Sequence, residues 1–142
     1  MATQVAQNWK LLKHKKVVDC LNDVFHGILM QSGFVFDAVN HNVYADISAS
    51  ELTTANGYTS GGAVLSGVAC VRDDTNKLVA LSWSNQTFTA SGGSLVAAGM
   101  MILDWTVGSP LKPIVQYIDF GGNQTAVAGQ GITVSNIQVT EQ

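Results

Sequence analysis

Ala45-Asp46-Ile47-Ser48-Ala49-Ser50-Glu51-Leu52-Thr53-Thr54-Ala55-Asn56-Gly57-Tyr58-Thr59-Ser60-Gly61-Gly62 is the stretch that orders the rest of the chain. It reads as the end of a strand followed by a short polar segment. The chain then reverses at Asn56-Gly57 and opens again at Gly61-Gly62 into an apolar run. Asn and Gly tolerate positive φ, so both pairs are turn signals. Tyr58 lies between them, where its ring is placed to anchor the loop. A loop that reverses twice inside a few residues, with apolar runs on both sides, belongs to a β-fold.

Working outward, Asn22-Asp23 marks a turn and Val24 to Met30 reads as a buried strand. Phe34, Phe36 and Tyr44 supply aromatic core around a loop holding Asp37, Asn40, His41 and Asn42. That loop has too few carboxylates at regular spacing for a calcium site. Downstream, Ala63 to Val71 and Lys77 to Trp83 predict a hairpin across the Asp73-Asp74-Thr75-Asn76 turn. Thr87 to Thr89 is a short strand. Ser94 to Leu103 is apolar almost throughout, which predicts a strand covered on both faces. Pro110 and Pro113 keep Trp105 to Pro113 out of any central strand. Ile114 to Phe120 alternates well, Gly121 to Thr125 reads as a turn, and Ile132 to Thr140 reads as one last strand. Short strands and Gly-rich turns predict an all-β fold. The expected architecture is an antiparallel β-sandwich or partly open barrel with a basic N-terminal arm or short helix. Residues 1–22 form the arm and 23–142 a single domain.

The chain has 142 residues, enough to bury a core without disulfides or metals. It is 46% hydrophobic and 12% charged, against roughly 25% charged in ordinary soluble domains. Mean hydropathy is +0.20. Such a chain has little polar surface with which to cover itself, so it is expected to hide apolar area against partners. Closed cyclic oligomers are the common solution, and a trimer or small ring is expected here. No run is long and apolar enough to predict a membrane span, and residues 1–16 lack the apolar core of a secretory signal. Cys20 and Cys70 are therefore expected as free thiols in a reducing cytoplasm.

Charge is unevenly spread. Lys10, Lys13, Lys15 and Lys16 supply four of the seven basic residues, and residues 1–16 hold no acid. The remainder carries three basic and ten acidic groups, a net −7. An arm of this kind is suited to docking on an acidic neighbour. Trp9, Leu11 and Leu12 are its apolar anchors, and Lys10, Lys13, Lys15 and Lys16 its charges. A net charge of −3 repels a phosphate backbone, so nucleic acid is not an expected partner.

No catalytic constellation emerges. Cys20, Cys70 and the serines sit in no nucleophile-elbow pattern, and His14, His26 and His41 all fall in the first third of the chain. His26 reads as a core-edge histidine. Asp73-Asp74 reads as a turn rather than an acid–base pair. Asp104 and Asp119 are a carboxylate pair only if a hairpin end brings them together. The glycine pairs precede neither a helix nor a lysine, so no phosphate loop is expected. Neither a cofactor nor a metal is expected, and the chain reads as a non-enzyme.

Three groups of residues carry a resemblance. They are Phe34-Val35-Phe36-Asp37, then Tyr44 to Leu52, and then Asn56-Gly57-Tyr58-Thr59-Ser60-Gly61-Gly62. Trp83, Phe88-Thr89-Ala90 and Pro113 to Thr125 extend it. Together they resemble small β-rich virion proteins of tailed bacteriophages, over most of the chain from Phe25 to Val139. The resemblance implies a structural subunit of the particle, assembled in the host cytoplasm. Its implied partners are the major capsid protein or other virion subunits. Capsid decoration (cement) is the leading expectation and a neck, tail or fibre position the alternative. A carbohydrate-binding module of the particle, stacking sugars on Trp83, Trp105 or Tyr58, is a third. Lys13-His14-Lys15-Lys16 departs from the neutral lead-in that the resemblance implies.

Overall fold

The computed structural model describes Ala2–Glu141; Met1 and Gln142, the outer ends of the expected arm and sandwich, lie outside the described residues. The chain is 45% strand and 11% helix with antiparallel pairing throughout, so the all-β expectation holds. Strands β1 (Ala2–Val5), β2 (Phe25–Met30), β3 (Ala63–Val64), β7 (Leu95–Asp104) and β8 (Ile114–Ala126) form one five-stranded sheet, in the order β1-β8-β7-β2-β3. Strands β4 (Ala69–Asp73), β5 (Leu78–Ser82) and β10 (Gln138–Glu141) form a second, ordered β10-β5-β4. A third pair joins β6 (Gln86–Thr89) to β9 (Gly131–Val134). Helices are short: α1 (Gln7–His14), α2 (Tyr44–Ile47) and a 3-10 turn at Ser48–Ser50.

The core follows from β7. Its apolar run is the expected strand, and Met100 to Leu103 are all fully buried. Burial on both faces requires a layer on each side. On one side Phe25 of β2 meets Trp9 and Trp83 edge-on, at centroid distances of 6.0 and 5.1 Å. Gln116 Nε2 donates across the same interface to the Gln138 carbonyl of β10 at 2.9 Å. The other face is covered by the 31–62 segment, from which Phe36 lies against Tyr117.

Several boundaries differ from the sequence-based expectation. Gly121-Gly122 does not end a strand; β8 runs through it to Ala126, and the register with β7 slips between Ala97 and Gly99. That slip absorbs the irregular glycine pair as a bulge. The two runs expected as single strands, 63–71 and 132–140, are each divided between sheets. Gly67 (φ +69°) breaks the first and Asn136 (φ +54°) the second. The central stretch opens on α2 rather than on a strand end.

Three loops share one device. In Asp19-Cys20-Leu21-Asn22, Asp37-Ala38-Val39-Asn40 and Asp73-Asp74-Thr75-Asn76, the leading carboxylate accepts two backbone N–H groups and the Asn Nδ2 three residues on. Such side-chain turns substitute for a backbone turn. The Asn contact is the leading cause holding each of the three carboxyls below its ordinary range. The turn reading of Asp73-Asp74 is thereby explained, since Asp74 pairs instead with Arg72.

Of the two forms expected for the N-terminal segment, a basic arm or a short helix, the structure has the short helix, packed on the body rather than standing apart as an arm. β1 is hydrogen-bonded along β8, from Ala2 opposite Asp119 to Val5 opposite Gln116. α1 then lays Trp9 (0% exposed) and Leu12 (6%) into the core. Ala6, Trp9 and Leu12 recur at a spacing of three, which puts them on one helical stripe. Burial of this stripe outweighs the attraction of its charges for a neighbour, because exposed ion pairs contribute only about 0–1 kcal/mol each. Trp9→Ala is expected to destabilise the protein by about 3–5 kcal/mol. Thermal or denaturant unfolding checks this, and an unchanged midpoint would mean that α1 is not core.

Candidate functional site

The central stretch lies along the open edge of β2. Beyond the two residues paired by β3, the β2 backbone needs other partners. Leu52 N–H donates to the Leu29 carbonyl at 2.9 Å and Gln31 N–H to the Ser50 carbonyl at 2.8 Å. The Leu29 N–H donates to the Tyr58 hydroxyl at 3.1 Å. The Tyr58 hydroxyl in turn donates to Glu51 Oε1 at 2.6 Å. Gly61 N–H donates to the same oxygen at 2.7 Å. On the other oxygen, the Tyr44 hydroxyl donates at 2.5 Å and Ser60 Oγ at 3.4 Å.

Glu51 is 3% exposed, so this carboxylate is buried with its acceptor sites filled. Burial, and then the Glu51 contact, push the Tyr44 phenol up to about 12 and the Tyr58 phenol further in the same direction. Both hydroxyls therefore stay protonated and act as donors. With four donors on one carboxylate and no open position beside it, the cluster is suited to holding a loop. It offers no vacant acceptor for acid–base work.

The loop's glycines fit the same constraint. Gly57 sits at φ +90°, and a Cβ there would approach the Thr89 carbonyl to 2.5 Å. At Gly62 (φ +68°) the backbone passes so close to the Gly27 carbonyl that no Cβ fits. Asn56 (φ +54°) donates from Nδ2 to the Ser94 carbonyl at 3.0 Å. Gly61 turns its carbonyl to His26 Nδ1 at 2.7 Å.

From His26 the cluster continues outward. The imidazole stacks on Trp105 at 4.2 Å and 6°. Lys112 Nζ lies 4.0 Å from the centroid of the Trp105 ring and 5.4 Å from that of Tyr44. Imidazole and ammonium thus both lie against the indole. The ammonium–indole contact is of the cation–π kind. Trp105 is partly buried with these two groups against it, while Trp83 and Tyr58 are buried. Of the three aromatics named as sugar platforms, Trp83 and Tyr58 are thus too buried to stack a sugar.

The docking residues expected in the first sixteen positions are divided by the fold. Trp9 and Leu12 are core, and Lys13 is paired with Glu141. Lys10, Leu11, Lys15 and Lys16 remain exposed on and just beyond α1. Asp104 and Asp119 are not brought together: Asp119 stands opposite Gly99, about 17 Å along β7 from Asp104. Asp104 instead faces Asp23. It is fully buried, with Oδ1 accepting from Thr106 and Val107 N–H and Oδ2 lacking a donor. Burial, then the Asp23 carboxylate, push Asp104 up to about 7. Among the described residues no group of three or more His, Cys, Asp or Glu side chains gathers to hold a metal. No helix among them is long and apolar enough to cross a membrane.

Searches of protein families, of curated proteins and of solved structures find no match to this chain. Its site must be argued from its own geometry. Sequence reasoning singled out Tyr58 and the glycines but missed Glu51, Tyr44 and Ser60. A lone glutamate in a polar run carries no local signal of burial. Two tyrosines, each seven positions from Glu51, are the sole trace.

Two outcomes test the site. Tyr58→Phe leaves the Leu29 N–H and Glu51 Oε1 each short of a partner, and should destabilise by about 1–3 kcal/mol. Melting of the variant checks it. Asp104→Asn tests the carboxyl pair. The folded protein holds the Asp104 proton up to about pH 7, whereas the unfolded chain releases it near 3.8. The stability this group contributes is complete below about pH 3.8 and lost as pH rises through 7. The Asn variant should melt above the wild type at pH 8, with the gain vanishing towards pH 4. A gain independent of pH would show that Asp104 does not titrate in this window.

Proposed function

We propose that the chain is a structural subunit of a tailed-bacteriophage particle, acting as a capsid decoration protein through protein–protein contacts. The observation that carries this reading is an apolar end. Val35, Val39 and Leu111 are the three most exposed large apolar side chains, at 80%, 66% and 63%. Their two loops are tied together: Tyr44 N–H donates to the Lys112 carbonyl, Ile114 N–H to the Asn42 carbonyl, and Val43 bridges Pro113. In a chain with so few charges, such an end is suited to burial against a neighbour. The resemblance of Phe34-Val35-Phe36-Asp37 and Pro113 to Thr125 to virion proteins supports the same reading. The major capsid protein is the proposed partner, with a trimer or small ring as the proposed assembly. A neck, tail or fibre position is the alternative.

The test uses particles lacking the protein, to which purified full-length chain is added. Val39→Asp and Leu111→Asp should abolish attachment, whereas Val127→Asp, on the distant turn after β8, should not. Attachment undiminished in both loop variants would remove the apolar end as the docking surface. A map of the decorated particle that places the chain at the neck or tail would overturn the capsid assignment.

A further inference from the structure

Between α1 and the three-stranded sheet lies a cavity of about 80 Å³, lined by Trp9, Lys13, Cys20, Cys70, Leu81 and Val139 among others. Cys70 stands opposite Leu81 on β4 and β5, and Leu81 opposite Val139 on β10. Residues directly opposite in a ladder share a face, so Cys70 points the way the two buried side chains do, into this void. It is nonetheless exposed, because β4 is the sheet's edge. Cys20 reaches the void from the other side. It belongs to the Asp19–Asn22 turn, which the Asp19 carboxylate holds through three hydrogen bonds. The void has the volume of about two or three waters, and both thiols border it.

We propose that Cys20 and Cys70 are a thiol pair that closes to a disulfide, stapling the α1–β2 connection to edge strand β4. The oxidant is a low-molecular-weight disulfide such as glutathione disulfide. Exposed Cys70 attacks one of its sulfurs, forming a mixed disulfide and releasing one thiol. Cys20 then attacks the Cys70 sulfur, forming the internal bond and releasing the second thiol. The two protein thiols lose two electrons and two protons, and the oxidant is reduced to two thiols. Burial raises the Cys20 thiol, and the Lys13 ammonium opposes this by favouring the thiolate needed for the second attack. The pair is open in a reducing cytoplasm and closes in an oxidising medium. This inference does not depend on the virion reading.

The experiment treats reduced full-length protein with glutathione disulfide and follows intact mass and titratable thiols. The expected product has lost both thiols, is lighter by two hydrogen atoms, carries no glutathione and contains one chain. Cys20→Ser should stop at a stable glutathione adduct on Cys70, and Cys20→Ala should do the same, which covers a folding defect in either variant. The oxidised wild type should also melt higher than the reduced protein and revert with dithiothreitol. A wild-type protein that accumulates the Cys70 adduct, or that links two chains, would overturn the pair. An internal disulfide with no change in melting would overturn the staple.

Discussion

The Leu29 N–H of β2 is the constraint on which the central stretch depends. β3 pairs with only two residues of β2, so the rest of that edge faces the 50–62 segment. An unpaired backbone donor at this depth costs free energy comparable to a lost hydrogen bond. Tyr58 supplies the acceptor and Glu51 fixes Tyr58. Gly61 then closes the loop on the same carboxylate. The edge is sealed by side chains and turns rather than by another strand, which is one of the ways sheets avoid pairing with foreign chains. The close passage of Gly62 over Gly27 completes the seal.

The fate of the N-terminal segment is decided by the same comparison of magnitudes. Its lysines suggested an arm reaching outward. A tryptophan fully buried against Phe25 contributes several times what exposed ion pairs do, about 3–5 kcal/mol against 0–1 each. Burial therefore sets where α1 lies, and the charges are left on its outer side. Lys13 turns back, to Glu141 at the end of β10.

How much was legible in the chain depended on whether the signal was local. The β7 run was readable because both-face burial writes itself as continuous apolarity. The turns at Asn56-Gly57 and Asp73–Asn76 were readable because positive φ and Asx geometry need particular residues. Gly121-Gly122 was misread because a glycine pair marks a bulge as readily as a turn, and only the partner strand decides between them. Residues 132–140 were read as one strand because Val134 and Ile137 keep both ends apolar; the switch between sheets lies in Asn136 alone. Glu51 was not legible at all. Its burial is permitted by donors from Tyr44, Tyr58, Ser60 and Gly61, whose convergence belongs to the folded loop. The Asp23–Asp104 pair was hidden for the same reason, since β2 and β7 meet only across the sheet.

The exposed groups left over are not scattered. Gln7 N–H donates to the Ala38 carbonyl, so the start of α1 touches the loop that carries Val39. Lys10 stands partway along that helix, and Lys15 and Lys16 lie just beyond its other end, about 12 Å from its start at 1.5 Å per residue. A single neighbouring surface spanning that distance meets both the apolar end and the basic ridge. The two would act differently. Desolvated apolar contacts govern how long a complex lasts, whereas rim charges govern how fast it forms and how strongly salt slows it. The Lys112 ammonium is held against Trp105 and Tyr44 beside Leu111, which places one further positive charge at the apolar end. An acidic surface with an apolar centre is the complement that this arrangement fits, and the chain's own remaining surface, net negative, meets the charge half of that description. Charge alone therefore does not separate a capsid subunit from a second copy of this chain; on the proposed reading the apolar contact at Val35, Val39 and Leu111 decides which surface is held.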